Sequence, residues 1–208
     1  SKMKKNQKIA GVLSSQEILE LINENIILSE NGIEKDFLMA ALERTKYNIQ
    51  YNGDYFNIEY PNGDIPKKYG VCTDVIIRSY RKINIDLQQL MHEDITKKYN
   101  DYPLQRIWNQ NNADSNIDHR RVPNLEVFFS KYGKSIPVSN NPNDYRPGDI
   151  VTWDLPGSSP WHIGIVSNKI SLISNNPLII HNIGRGPEES DMIFDFPIRG
   201  HYRYFLEK

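Results

Sequence analysis

The apolar residues of this chain change their spacing about two-thirds of the way along. Up to Gly133 they recur every three or four positions, and beyond Pro147-Gly148-Asp149 they fall in short strand-like runs. Ser14 and Glu17 form a capping-box pattern ahead of Ile18, Leu21, Ile22 and Ile26, and Asn31-Gly32 closes that helix. Phe37, Leu38, Ala41 and Leu42 mark a second helix over residues 34–46. Val71, Val75, Ile76, Tyr80 and Ile83 mark a third. Asp86 caps a fourth, which carries Leu87, Leu90, Met91 and Ile95 and stops before Pro103. Pro123 opens a fifth through Leu125, Val127, Phe128 and Phe129. Residues 51–60 read as a short strand or extended segment, and 109–122 as a polar loop. Strands are predicted at 150–153, 161–166, 178–182, 192–196 and 201–205. Helices first and antiparallel strands later predict an α+β fold. Residues 1–33 would form an N-terminal tail and helix, and 34–208 the main domain.

Composition removes several functional classes. A net charge of -1 offers no pull toward nucleic acid or an anionic membrane. No apolar run reaches membrane-spanning length. The single cysteine excludes an intrachain disulfide and a multi-cysteine zinc site. No signal peptide is visible. Ser1 at the start fits a chain whose export signal has been removed, so a periplasmic or otherwise exported protein is expected.

The lone cysteine, Cys72, falls in the first turn of the third helix. Unpaired backbone N–H groups and the helix dipole there favour a thiolate, so an accessible thiol of low pKa is expected. The alternative is an ordinary small core residue. About 90 residues downstream, His162 opens a strand in which alternation puts His162, Gly164 and Val166 on one face. His181 closes the next strand. If the two strands pair, His181 can orient His162, and His162 can take the Cys72 proton, giving nucleophile, base and orienter. Asn182 is the second choice of orienter and His201 the third. The same Cys72, His162 and His181 could instead bind zinc. Asp118, His119, Arg120 and Arg121 form a dense polar cluster. It reads either as a site for a substrate carboxylate or as a network anchoring a long loop. Asp74 is expected to bind backbone or Arg78. Tyr51, Tyr55 and Tyr69 could line the cleft or simply pack.

Several segments resemble an uncharacterised bacterial family, the domain of unknown function 1287. They are YPNGDIPKKYGVCTDVIIRSYR, IDLQQLMHED, NIDHRRVPNL, RPGDIVTWDL, HIGIVS, IIHNIGRG and the terminal GHYRYF, spread over residues 35–205. The family in turn resembles the NlpC-type branch of papain-like cysteine peptidases and amidases, which cleave bacterial cell-wall peptides. That resemblance implies a papain-like fold with N-terminal helices packed on an antiparallel sheet. It implies Cys72 as nucleophile, His162 as base and His181 as the third residue. It also implies no cofactor and a peptidoglycan stem peptide as substrate of a monomeric enzyme. Asp118, His119, Arg120, Arg121, Tyr69 and Asn182 are the expected substrate-binding residues. The branch commonly has Asp before the cysteine and Ser-Gly after it. Here Val71 precedes and Thr73-Asp74 follow, which bears on substrate detail. A non-catalytic cell-wall binding module on the same fold is the remaining alternative.

Overall fold

The computed structural model describes residues 14–17 and 32–205. The Ser14 N–H donates to Glu17 Oε2 at 2.7 Å and the Glu17 N–H to Ser14 Oγ at 3.2 Å, the reciprocal pair of a capping box. The rest of that expected helix lies outside the described residues.

Five helices follow: α1 (Gly32–Arg44), α2 (Cys72–Arg81), α3 (Leu87–Lys97), α4 (Leu104–Trp108) and α5 (Val122–Tyr132). The strands are β1 (Gln50–Tyr51), β2 (Tyr69–Gly70), β3 (Lys134–Ser135), β4 (Ile150–Asp154), β5 (Trp161–Ile170), β6 (Pro177–His181), β7 (Glu188–Ser190) and β8 (Ile198–Arg203). β1 and β2 form a parallel pair, and the other six form one antiparallel sheet in the order β3-β8-β4-β5-β6-β7. The α+β architecture expected from the spacing is therefore present, with helices ahead of the sheet in the chain.

The sheet is buried on both faces. Ile150, Ile163, Ile165, Ile180 and Tyr202 pack under Phe37, Val75, Ile76, Tyr80, Leu125 and Phe129 of the helices. Val151, Trp153, Val166 and Ile179 point the other way, where Tyr145, Met192 and Ile193 cover them. β5 is the central ribbon: Trp153 pairs with His162 on one side, and Ile165 pairs with Ile180 on the other. Gly164 lets β6 come close, since a Cβ there would sit 2.6 Å from Ile179 Cγ2.

Three expectations differ from this fold. Residues 192–196 are turns rather than a strand. Met192 and Ile193 are apolar because they roof the second core, and the Ile193 carbonyl accepts from Trp153 Nε1 at 2.9 Å. Of the 51–60 segment, expected as a short strand or extended, only Tyr51 pairs, as the second residue of β1. β7 was not expected, because its Glu188-Glu189-Ser190 sequence has no apolar pattern to read.

Candidate active site

The start of α2 is fixed by a buried ion pair. Asp74 Oδ2 accepts from the Val71 N–H at 2.7 Å. The same carboxylate is held by Arg120, whose Nε donates to Oδ1 at 3.0 Å and Nη2 to Oδ2 at 3.1 Å, with both side chains 2% exposed. Thr73 Oγ1 donates to the Arg120 carbonyl at 3.1 Å. Asp74 thus binds backbone as expected, but its cation is Arg120; Arg78 goes to Asp64 at 2.9 Å.

This placement favours the second of the two readings of the Asp118–Arg121 cluster, the loop anchor. Asp118, His119 and Arg120 are buried in a 3-10 turn. Asp118 accepts from Gln110 Nε2 at 2.8 Å and from the Asp114 N–H at 2.6 Å, closing the loop. Both forks of Arg120 are spent on Asp74, and its Nη1 reaches the Asp54 carbonyl at 3.3 Å. Neither residue has a face left for a substrate carboxylate, so the cluster is an anchor. Arg121 differs. It is half-buried, donates to Gln110 Oε1 at 2.6 Å and lies 4.2 Å over the Trp108 ring, which meets Trp161 edge-on. Tyr69 stacks on Phe56 at 5.8 Å.

The two histidines on the adjoining strands meet. His162 Nε2 lies 2.7 Å from His181 Nδ1. The far nitrogen of His181, Nε2, is hydrogen-bonded to Ser190 Oγ and stands 3.9 Å from Glu188 Oε1. A carboxylate on that side favours the tautomer with hydrogen on His181 Nε2. His181 Nδ1 is then an acceptor for a proton on His162 Nε2, and His162 Nδ1 keeps its lone pair. His162 Nδ1 has no hydrogen-bond partner among the described residues, which leaves it as the free base. Ser190 and Glu188 were missed in the sequence because β7 itself was missed. Asn182 is employed elsewhere: its Oδ1 accepts from the Gly184 and Gly186 N–H groups, and its Nδ2 reaches the Gly70 carbonyl at 3.4 Å. His201 is bonded to Asp149 at 2.6 Å.

Cys72 approaches from the helix layer, while His162 lies on the opposite sheet face against Trp153, 5.6 Å between ring centroids. At the start of β5 the backbone N–H of Ile163, the residue after His162 in the chain, faces the Cys72 sulfur. No hydrogen bond joins Cys72 to His162 among the described residues. Such contacts often tighten only when substrate binds. Tyr51 pairs opposite Gly70, and its hydroxyl is in electrostatic reach of Cys72. The segment after Tyr51 crosses the α2 start and is tied down by Arg120 on Asp54, Tyr55 on Asp114 at 2.9 Å and Asn116 on Ile58 at 3.0 Å.

The resting electrostatics reverse the thiolate expectation. Cys72 is 6% exposed, and burial pushes its thiol up to about 12, outweighing the pull of the Ile163, Thr73 and Cys72 N–H groups. Burial pushes His162 down to about 3, helped by His181, and His181 down to about 4. The thiol and both imidazoles rest neutral. Iodoacetamide at pH 7.5 should therefore alkylate Cys72 roughly tenfold or more slower than a free thiol of pKa about 8.5. Labelling faster than the free thiol at pH 6 would mean an ion pair exists after all.

The same burial links stability to pH. His119, 2% exposed, is also pushed down by burial, to about 3. Each of these histidines binds a proton more readily unfolded, near pH 6.5, than folded. Their stabilising contribution is complete above that pH and falls as the pH drops toward 4. The slope is up to about 1.4 kcal/mol per pH unit for each histidine. Urea midpoints at pH 7.5 and 5 test this, and equal midpoints would contradict it.

The zinc alternative needs Cys72, His162 and His181 to converge on one ion. Among the described residues no three His, Cys, Asp or Glu side chains are grouped to do so.

With this geometry in place, the chain can be set beside known proteins. A family described as "Domain of unknown function (DUF1287)" matches residues 38–204. The chain belongs to the DUF1287 family. The stretch from the middle of α1 to the end of β8, including Cys72, Arg120, His162, His181 and Ser190, therefore lies inside the family domain. An Escherichia coli (strain K12) protein named "Uncharacterized protein YijF" is 48% identical over 168 residues, covering 81% of this chain and 80% of that one. A Rickettsia conorii protein named "7-cyano-7-deazaguanine synthase" is 25% identical over 170 residues, covering 74% of this chain and 72% of its own length. A Rickettsia rickettsii protein of the same name matches at the same level. No solved structure matches this DUF1287 chain significantly. No helix among the described residues is long and apolar enough to cross a membrane.

Proposed function

We propose that this DUF1287 protein is a cysteine hydrolase that cleaves an amide bond in peptidoglycan stem peptides. The observation that carries the reading is the His162–His181 pair, 2.7 Å apart, at the strand end where the Cys72 sulfur meets the β5 backbone. A helix that starts with the cysteine and packs on an antiparallel sheet, with the two histidines on neighbouring strands, fits an NlpC-type, papain-like arrangement.

The chemistry starts from the neutral pair. Cys72 Sγ attacks the amide carbonyl carbon as its proton passes to His162 Nδ1. His181 accepts from His162 Nε2 and stabilises the imidazolium. The Cys72 N–H and the Tyr51 hydroxyl donate to the oxyanion, where one lost donor typically costs about 10²–10³ in rate. The intermediate expels the amine, which leaves with the proton from His162, and a thioester remains. Water then attacks the thioester and gives its proton to His162. The acid departs, and Cys72 regains its proton.

Substrate choice rests on Arg121. It is the one member of the Asp118–Arg121 cluster left half-open, and the Trp108 and Trp161 rings form a wall beside it, Trp161 being the residue before His162 in the chain. Stem peptides are short and carry carboxylates, which a guanidinium binds in a fixed geometry. A cell-wall substrate places the enzyme outside the cytoplasm. The synthase name of the Rickettsia proteins is not carried over, because the likeness is only 25% identity.

The test is incubation with purified muropeptides, read by mass spectrometry. Wild type should release a fragment that Cys72→Ala does not, and Arg121→Ala should raise KM more than it lowers kcat. Intact muropeptides with cleaved casein would overturn the substrate class. Binding of muropeptides without cleavage would favour a cell-wall binding module.

A further inference from the structure

A second cavity lies farther along α2 from Cys72. A cavity of about 380 Å³ is lined by Arg44, Lys67, Arg78, Arg81 and Lys82, with Asp64 as its one carboxylate and Tyr47 and Ile49 as its apolar wall. Arg78 is paired with Asp64, and Arg81 with Asp86 at 3.1 Å. Counting both acids, three cations remain: Arg44, Lys67 and Lys82 have no acidic partner among the described residues. Two guanidinium nitrogens are buried with no hydrogen-bond partner among the described residues, Arg78 Nη2 and Arg81 Nε. Arg78 is only 8% exposed, so that nitrogen has given up water and gained nothing for it. Arg44 also feels the crowding: after burial, the charge of Arg78 is the next influence lowering its pKa.

We propose that this cavity binds a phosphoryl group, with Arg78 Nη2 and Arg81 Nε as its buried donors and Lys67, Lys82 and Arg44 at its mouth. A dianion suits a surplus of three charges better than a single carboxylate, because one carboxylate is already present and leaves the guanidinium nitrogens unpaired. Arginine forks match phosphate oxygens two at a time, and lysines supply point charge around them. The cavity exceeds the volume of a bare phosphate, so the Tyr47–Ile49 wall is left to pack the group the phosphate is attached to. Arg78 lies six residues along α2 from Cys72, about 9 Å of helix rise, so this ligand is separate from the peptide that Cys72 would attack.

Both a soluble phosphate ester and a lipid phosphate present this group, and two arms separate them. Pyrophosphate is titrated calorimetrically into the full chain at pH 7.5, and the same protein is sedimented with phosphatidic acid vesicles in a phosphatidylcholine background. Saturable binding in either arm is expected, weakened at least about tenfold by Lys67→Gln with Lys82→Gln, two exposed changes that leave the core alone. Arg44→Gln should weaken it independently. The proposal is overturned if neither probe binds, if the variants bind as wild type does, or if citrate binds as tightly as pyrophosphate. None of these readouts uses hydrolysis, so they stand apart from the activity assay.

Discussion

Arg120→Met should destabilise the fold by about 3–5 kcal/mol, because it strands the Asp74 carboxylate in the interior without its cation. Asp74 and Arg120 are each 2% exposed and share two hydrogen bonds near 3 Å. Asp74 also holds the Val71 N–H, so the loss falls on the first turn of α2 and on Cys72 itself. The Asp54 carbonyl loses its donor too, which frees the segment that crosses the helix start. Asp74→Asn in the Arg120→Met background removes the stranded charge and should recover a large part of the loss. Urea unfolding of the two single variants and the double gives the coupling directly. A change under about 1 kcal/mol for Arg120→Met would mean the pair is solvated like a surface salt bridge.

Much of this arrangement was legible in the sequence, for reasons that particular residues make clear. Val75, Ile76 and Tyr80 repeat at helical spacing because one face of α2 rests on the sheet, so the helix and its first residue could be read. The β5–β6 pairing followed from alternation, and it carried His162 to His181. Burial was not legible. A cysteine at a helix start suggests a thiolate only while water or a cation is at hand, and Cys72 has neither. Arg120 could be read either as a clamp for a substrate carboxylate or as a loop anchor, and a carboxylate 46 residues away in the chain decides it by drawing the side chain inside. Residues 192–196 have a strand's composition because they cap the far core, and nothing local separates a roof from a strand. Glu188 and Ser190 sit in a three-residue charged strand that only its neighbour defines.

His162→Ala should lower kcat on a muropeptide substrate by about 10²–10⁴, the usual contribution of a positioned general base. His181 acts through His162, so its variants should grade. His181→Asn keeps an amide oxygen that can accept from His162 Nε2 and should retain measurable rate; His181→Ala should lose more. The pH profile separates this role from a merely structural one. Burial holds His162 near 3 and His181 near 4, so the acid limb of kcat/KM should lie well below the 6.5 of an ordinary imidazole. In His181→Ala, water can enter beside His162, and the limb should move up toward 6.5. Equal rates and identical acid limbs for the Asn and Ala variants would show that His181 does not orient the base.

The central claim is that Cys72 forms the bond to the substrate acyl group. Intact-protein mass spectrometry of acid-quenched samples, taken in the first turnovers with a purified muropeptide, looks for that bond. Wild type should carry a transient mass increase equal to the acyl half of the cleaved peptide, located on the peptide containing Cys72 after digestion. His162→Ala, slow in deacylation, should accumulate it if acylation still proceeds, and Cys72→Ala should show none. Cleavage that persists in Cys72→Ala would contradict the account.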